Sequence, residues 1–201
     1  MRDVIEIIRR RLALHAPLAI AQDSRRAAAV LIPLYSHGGA LHIVFTRRAD
    51  NLKHHSGEIS FPGGSREPAD ADLLTTALRE SWEEIGIDAG HVEVLGQIDD
   101  FVTGSNFHIS PFVGLLDDRF SPYPWHPDES EVAEMIEVPL IHLLDPLSQD
   151  VIVREVEGGV MVREAYRFGE HLIWGATARM LHNFLDVIGE DRMYPGLKAG
   201  S

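Results

Sequence analysis

Three carboxylates, Glu80, Glu83 and Glu84, fall on about one turn of a potential helix, and a Gly63-Gly64 pair lies shortly before them. On a helix, Glu80 and Glu84 are neighbours at the four-residue spacing, and Glu83 is three from Glu80. Like charges so placed cost a helix roughly 0.2–0.5 kcal/mol per pair, and near its C-terminus they also oppose the dipole. A hard divalent cation, Mg2+ or Mn2+, relieves both penalties and suits an all-oxygen donor pair. Arg79, four before Glu83, is placed to pair with it and orient it. The two glycines let backbone approach a ligand closely. The pattern points to divalent-metal chemistry on a phosphate-containing substrate. A solvated acidic face is the bland alternative; it explains a lone Glu-Glu pair better than one that follows a Gly-Gly turn.

The elements that must position these residues follow from periodicity and turn chemistry. Residues 3–14 read as an amphipathic helix with Val4, Ile7, Ile8 and Leu12 on one side. Residues 28–35 and 41–46 read as strands joined by Ser36-His37-Gly38-Gly39. Residues 47–60 are polar and irregular and lead into Phe61-Pro62-Gly63-Gly64. Asp70 or Asp72 caps a helix ending near Ile85, with Gly86 as its stop and Leu74, Leu78 and Ile85 on its core side, Ala77 and Ser81 beside them. Further strands are expected at 92–98, 109–116 and 132–138, a second hairpin around Glu157-Gly158-Gly159, and a last helix over 175–188. Strands outnumber helices, which favours an α+β layered domain spanning residues 1–201. Residues 122–127 form a stiff Pro-rich loop, and Trp174 and Gly175 are expected to close the core under the last helix.

Bulk composition narrows the function. With 45% hydrophobic and 24% charged residues, the chain has the balance of a soluble globular protein. It has no cysteine, which excludes disulfides, a catalytic thiol and Cys-ligated metals. A net charge of -13 argues against nucleic-acid or anionic-membrane partners. The N-terminus lacks a secretory apolar run, so a cytoplasmic setting is expected. An acidic protein that binds phosphates needs a metal or a local basic cluster.

Arg79-Glu80-Ser81-Trp82-Glu83-Glu84-Ile85-Gly86-Ile87 resembles the second half of the Nudix hydrolase signature, Gly-x5-Glu-x7-Arg-Glu-U-x-Glu-Glu-x-Gly-U, where U is bulky and aliphatic. Ser81 stands where the pattern wants an aliphatic residue. Counted from Gly64, the first Glu slot falls on Asp70, and eight residues rather than seven then precede Arg79; Glu67 and Asp72 are alternative acids. The resemblance implies an α/β/α sandwich around a mixed sheet, with the signature region at 57–87. It implies hydrolysis of a nucleoside diphosphate linked to another moiety. Glu80 and Glu84 would hold the metal with Glu83 assisting, Arg79 would orient, and the Gly63-Gly64 turn would complete the site. Glu131, after the Pro-rich loop, is a further candidate as base or extra metal ligand, with Asp128, Glu129 and Glu134 competing.

The segment from Phe45 to Gly64 is similar to the motif of the coenzyme A pyrophosphatase subgroup, with Thr46, Arg48, Leu52, His55, Gly57 and Ile59 at matching positions. Coenzyme A or acyl-coenzyme A is therefore the expected substrate, 3′,5′-ADP and 4′-phosphopantetheine the expected products, and a homodimer an admissible assembly. Arg47, Arg48 and His55, together with Gly57, Gly63 and Gly64, are the candidate substrate contacts; Lys53, His54 and Arg66 extend the basic cluster. Coenzyme A carries a 3′-phosphate that such cations would bind. Solubility residues on a loop are the competing reading. The rival functions are a Nudix hydrolase of ADP-ribose or nucleoside triphosphates, and a catalytically silent nucleotide sensor.

Overall fold

The computed structural model describes residues 1–21, 24–50, 57–156 and 159–189. Helix α1 (Arg2–Leu14) precedes strands β1 (Arg26–His37), β2 (Ala40–Arg48), β3 (Ile59–Ser60) and β4 (Gly63–Ser65). Helix α2 (Leu73–Ile85) leads to β5 (Val92–Gln97), β6 (Phe101–Val102), β7 (Phe107–Leu116) and β8 (Val132–Pro139). The short helix α3 (Leu140–Leu144) is followed by β9 (Gln149–Val156), β10 (Gly159–Phe168), β11 (His171–Ile173) and α4 (Gly175–Ile188).

β1 is the spine of a mixed sheet. It pairs in parallel with β7 from Arg26 to Leu34, and antiparallel with β2 through Leu34–His37. Its side chains alternate between two cores, as the period of a strand requires. Val30, Ile32 and Leu34 join the core that contains Ile8, Leu12, Leu181 and Leu185 of α1 and α4. Ala29, Leu31 and Tyr35 join Ala77, Ile85 and Ile87 on the α2 side. The result is the expected α/β/α sandwich. A separate three-stranded sheet, β11-β10-β9, packs beside it. No helix among the described residues is long and apolar enough to cross a membrane.

One irregularity of the sheet builds the site. β2 leaves β1 after Ile43 and runs on beside β8, through Thr46↔Met135 and Arg47↔Glu134. β3 pairs with β2 at Thr46 and Arg47, while β4 pairs with the other end of β1 at Ala28–Val30. The segment from Ile59 to Ser65 thus fills a fork between two diverging strands. The expectation that 47–60 is irregular is corrected at both ends: β2 continues to Arg48, and Ile59–Ser60 is a strand. Polar composition hid them: the extension of β2 pairs with β8, far away in sequence, and β3 pairs back onto that extension.

The buried face of α2 keeps Ala77, Ser81 and Ile85 of the expected core side but not its two leucines. Leu74 and Leu78 are only partly covered, and the buried positions are Thr76, Ala77, Ser81, Glu84 and Ile85. Small side chains let the helix lie close over β1 and β4. Ser81, in the slot where an aliphatic residue was anticipated, is fully buried and donates its hydroxyl to the Ala77 carbonyl at 2.7 Å, so no polar group is stranded. Trp174 does not seal the core as anticipated; it lines an open cleft at the start of α4.

Candidate active site

Helix α2 is fixed at both ends. Asp72 is the N-cap; its carboxylate accepts from the Thr75 amide at 2.7 Å, and Gly86 closes the helix in the left-handed region. The last carbonyls, normally orphaned, are satisfied by the Pro-rich loop. The His126 amide donates to the Ile85 carbonyl at 3.1 Å and the Asp128 amide to that of Glu84 at 2.9 Å. The loop therefore caps the carboxylate helix and delivers residues 128–131 to its side.

The acid that the signature spacing left open is Asp70. Arg79 grips it with two bonds, Nε to Oδ1 at 3.0 Å and Nη2 to Oδ2 at 3.1 Å. The Thr76 hydroxyl and the Glu67 amide, each at 2.9 Å, complete its shell. Hydrogen bonds from Arg79 hold the Asp70 carboxyl well below the usual carboxylate range, and Asp70 in turn raises the guanidinium. The extra residue of the loop is absorbed ahead of the Asp72 cap, so Asp70 still reaches Arg79. Glu67 is exposed. Arg79 also donates to the Ser65 carbonyl at 3.0 Å, touches Glu80 at 3.1 Å and bonds Glu83 at 2.9 Å. One guanidinium thus locks β4 to α2.

Glu80 and Glu84 project from α2 onto β4. The Gly63 amide faces Glu84 Oε2 at 3.3 Å. Gly63 has φ +155, and a Cβ there would collide with the Ala29 carbonyl oxygen and lie 2.6 Å from the Val30 Cα. A Cβ on Gly64 would fall 2.5 Å from the Glu80 carboxylate. Both glycines are thus required by close approach, one to β1 and one to a candidate ligand. The Glu84 side chain is only 6% exposed, with Arg48 Nη1 at 3.8 Å. Burial, with added repulsion from Glu80 and Glu131, pushes its carboxyl up to about 8, against the opposing pull of Arg48 and the Gly63 amide. Burial raises Glu80 as well. Two carboxylates held together at a cost are the mark of a site completed by positive charge.

A divalent cation fits these residues. The donors are all oxygen, the glycine cradle keeps side chains out, and the two acids disfavour ionisation without a counter-charge. Among the described residues no group of three or more Asp, Glu or His forms a ready-made cage. Mg2+ commonly binds through one or two carboxylates, taking its other ligands from water and substrate phosphates.

The remaining candidates divide. Glu83 is 54% exposed and turned to Arg79, on the outer side of the helix from Glu84. Glu131 is exposed on its loop, yet near enough to act electrostatically on both Glu80 and Glu84. Its carbonyl accepts from the Ala49 amide at 2.8 Å, tying the loop to the end of β2. Arg48 points to the carboxylates, whereas Arg47 pairs with Glu134 and Asp50 on the sheet's surface. Gly57 donates its amide to the Arg48 carbonyl at 3.2 Å. His55, with Lys53 and His54, lies outside the described residues. Sequence reasoning missed Thr76 and the Ser65 carbonyl as supports of the Asp70–Arg79 pair; only the three-residue step from Arg79 back to Thr76 hinted at them.

The chain is similar to known proteins along most of its length. The model of the NUDIX domain matches residues 24–156. A protein named uncharacterized Nudix hydrolase NudL, from Yersinia enterocolitica, is 38% identical over 162 residues, covering 80% of this chain and 80% of that protein. NudL of Photorhabdus laumondii is 36% identical over 177 residues, covering 88% and 92%. The mouse peroxisomal coenzyme A diphosphatase NUDT7 is 43% identical over 117 residues, which cover 58% of this chain and 48% of that protein. The crystal structure of a MutT/nudix family protein from Enterococcus faecalis matches with a TM-score of 0.55 at 12% identity, over 92% of this chain and 74% of that one, a likeness of fold.

Proposed function

Because this chain belongs to the Nudix hydrolase family, whose members act on pyrophosphate bonds, we propose that it cleaves the pyrophosphate of coenzyme A or acyl-coenzyme A in a cytoplasmic setting. The observation that carries the reaction is the buried Glu84 beside Glu80 over the Gly63–Gly64 strand. The substrate reading rests on the Thr46–Phe61 segment and on the likeness to the mouse coenzyme A diphosphatase.

Glu80 and Glu84 would hold Mg2+ or Mn2+. When bound, the cation neutralises the diphosphate and activates the attacking water. Water oxygen adds to one phosphorus and the bridging P–O bond breaks, giving two phosphomonoesters, 3′,5′-ADP and 4′-(acyl)phosphopantetheine. Arg79 holds Glu80 and Glu83 in place through its anchor on Asp70. Arg48 places positive charge beside Glu84, where it would meet a substrate phosphate. Glu131, exposed and near enough to act electrostatically on both carboxylates, would take the proton of the attacking water.

The test is product identification after incubating the purified protein with coenzyme A and Mg2+ or Mn2+ in water enriched in heavy oxygen. The expected products are 3′,5′-ADP and 4′-phosphopantetheine, one of them labelled. Hydrolysis of ADP-ribose without hydrolysis of coenzyme A would overturn the substrate assignment.

A further inference from the structure

A cleft of about 600 Å³ opens beside the carboxylate site, between the β9–β10 hairpin, the start of α4 and the turn between β6 and β7. It begins at Glu58, immediately before β3. The Glu58 carbonyl accepts from the Arg48 amide at 3.0 Å, and the Arg48 guanidinium reaches Glu84. The far wall is the turn at Thr103–Ser105, which adjoins the start of β1 through the Arg26 amide and the Asn106 carbonyl. The cleft therefore starts at the strand that feeds the Gly63–Gly64 cradle and runs along the same end of the sheet.

Its lining has a definite chemical character. Ile152, Met161, Val162, Trp174 and Ala176 present apolar surface. The charged groups balance, Arg163 and Arg179 against Glu58 and Glu164, and the Arg179 guanidinium already lies 5.4 Å from the centre of the Phe101 ring. Such a surface has no surplus positive charge for a phosphate. It suits an extended, uncharged chain of amide and alkyl groups, and its size is that of small-molecule sites.

Resting on the function proposed above, we propose that this cleft receives the pantetheine arm of the substrate, with any acyl chain carried on its sulfur. The diphosphate then lies at Glu80 and Glu84, and the arm passes Glu58 into the cleft. The hydrophobic wall makes Met161 and Ala176 determinants of acyl preference.

Two variants test this, Met161→Glu, which charges the apolar wall, and Ala176→Leu, which fills it. Each is checked for an unchanged melting curve and then assayed with coenzyme A and decanoyl-coenzyme A, and for inhibition by each product. The expected result is a KM for decanoyl-coenzyme A raised about tenfold or more, a smaller rise for coenzyme A, and kcat within about twofold of wild type. Inhibition by 4′-phosphopantetheine should weaken while that by 3′,5′-ADP stays the same. Weakened inhibition by 3′,5′-ADP instead would assign the cleft to the nucleotide half, and unchanged constants in both variants would leave it no role in binding; either overturns the inference. If wild-type protein fails to hydrolyse coenzyme A at all, the proposed function itself falls, and this inference with it. Should Met161→Glu fail to fold, Ala176→Leu, at the edge of the helix, carries the test.

Discussion

Asp70 and Arg79 meet as a two-pronged ion pair, at 3.0 and 3.1 Å, with the Asp70 side chain 3% exposed and the Arg79 side chain 21%. The pair joins the loop ahead of α2 to the middle of that helix, and through the Ser65 carbonyl to β4. Breaking such a buried pair leaves a charge without its counterpart. Asp70→Asn is expected to destabilise the fold by about 3 kcal/mol. Urea unfolding would register this as a lower midpoint with an unchanged slope; an unaltered midpoint would deny the pair its anchoring part.

Glu84→Gln should separate chemistry from folding. It removes a buried charge while keeping the shape, so the metal-free variant should melt no lower than wild type at pH 8. Loss of a metal ligand should lower kcat by about 10²–10⁴-fold, the range that several kcal/mol of transition-state stabilisation represents. Steady-state turnover and a thermal melt on one preparation decide it.

Gly64→Ala should act on a single ligand. The added methyl falls 2.5 Å from the Glu80 carboxylate, which must swing away. The apparent Mg2+ requirement in a turnover titration should rise about tenfold or more, an effect of about 1.4 kcal/mol or above. An unaffected titration would show that Glu80 does not bind metal in its observed position.

The raised Glu84 carboxyl fixes the sign of a pH effect. Its value moves from 4.5 to about 8 on folding. The folded chain therefore keeps a proton that the unfolded chain releases, and the metal-free protein should lose stability as pH rises from about 4.5 to about 8. Asp70, shifted downward, supplies stability that is complete above its ordinary value of 3.8 and fades only in acid, so it does not obscure this window. Urea midpoints at pH 5.5 and pH 8 should differ in wild type, the difference should shrink in Glu84→Gln, and Mg2+ should restore the wild-type midpoint at pH 8.

Much of this was legible in the sequence because it rests on local rules. A cap at Asp70 or Asp72, the Gly86 stop, a turn at Gly38–Gly39 and the four-residue step from Glu80 to Glu84 are all encoded within a few residues. The acid opposite Arg79 was not legible. Asp70, Glu67 and Asp72 lie close together, and only the path of the turn ahead of the cap selects among them. The core side of α2 was legible in part: Ala77, Ser81 and Ile85 are on it as expected, but hydrophobicity favours Leu74 and Leu78 where close packing instead buries Thr76 and Glu84. β3 pairs onto the end of β2, whose other edge is held by β8 far along the chain, and the walls of the cleft come from separate segments that no spacing rule connects.

The fork between β1 and β2 has a consequence for how the enzyme can diverge. The chain leaves β2 at Arg48 and regains it at Gly57–Glu58 on adjacent backbone, since the Arg48 amide bonds the Glu58 carbonyl and the Gly57 amide returns to the Arg48 carbonyl. Closing a longer excursion between fixed anchors costs only about 0.6 kcal/mol per doubling of length. The carboxylates on α2 and the glycine cradle of β4 lie outside that span of the chain. A change of length between those two anchors therefore need not disturb the Glu80–Glu84 pair.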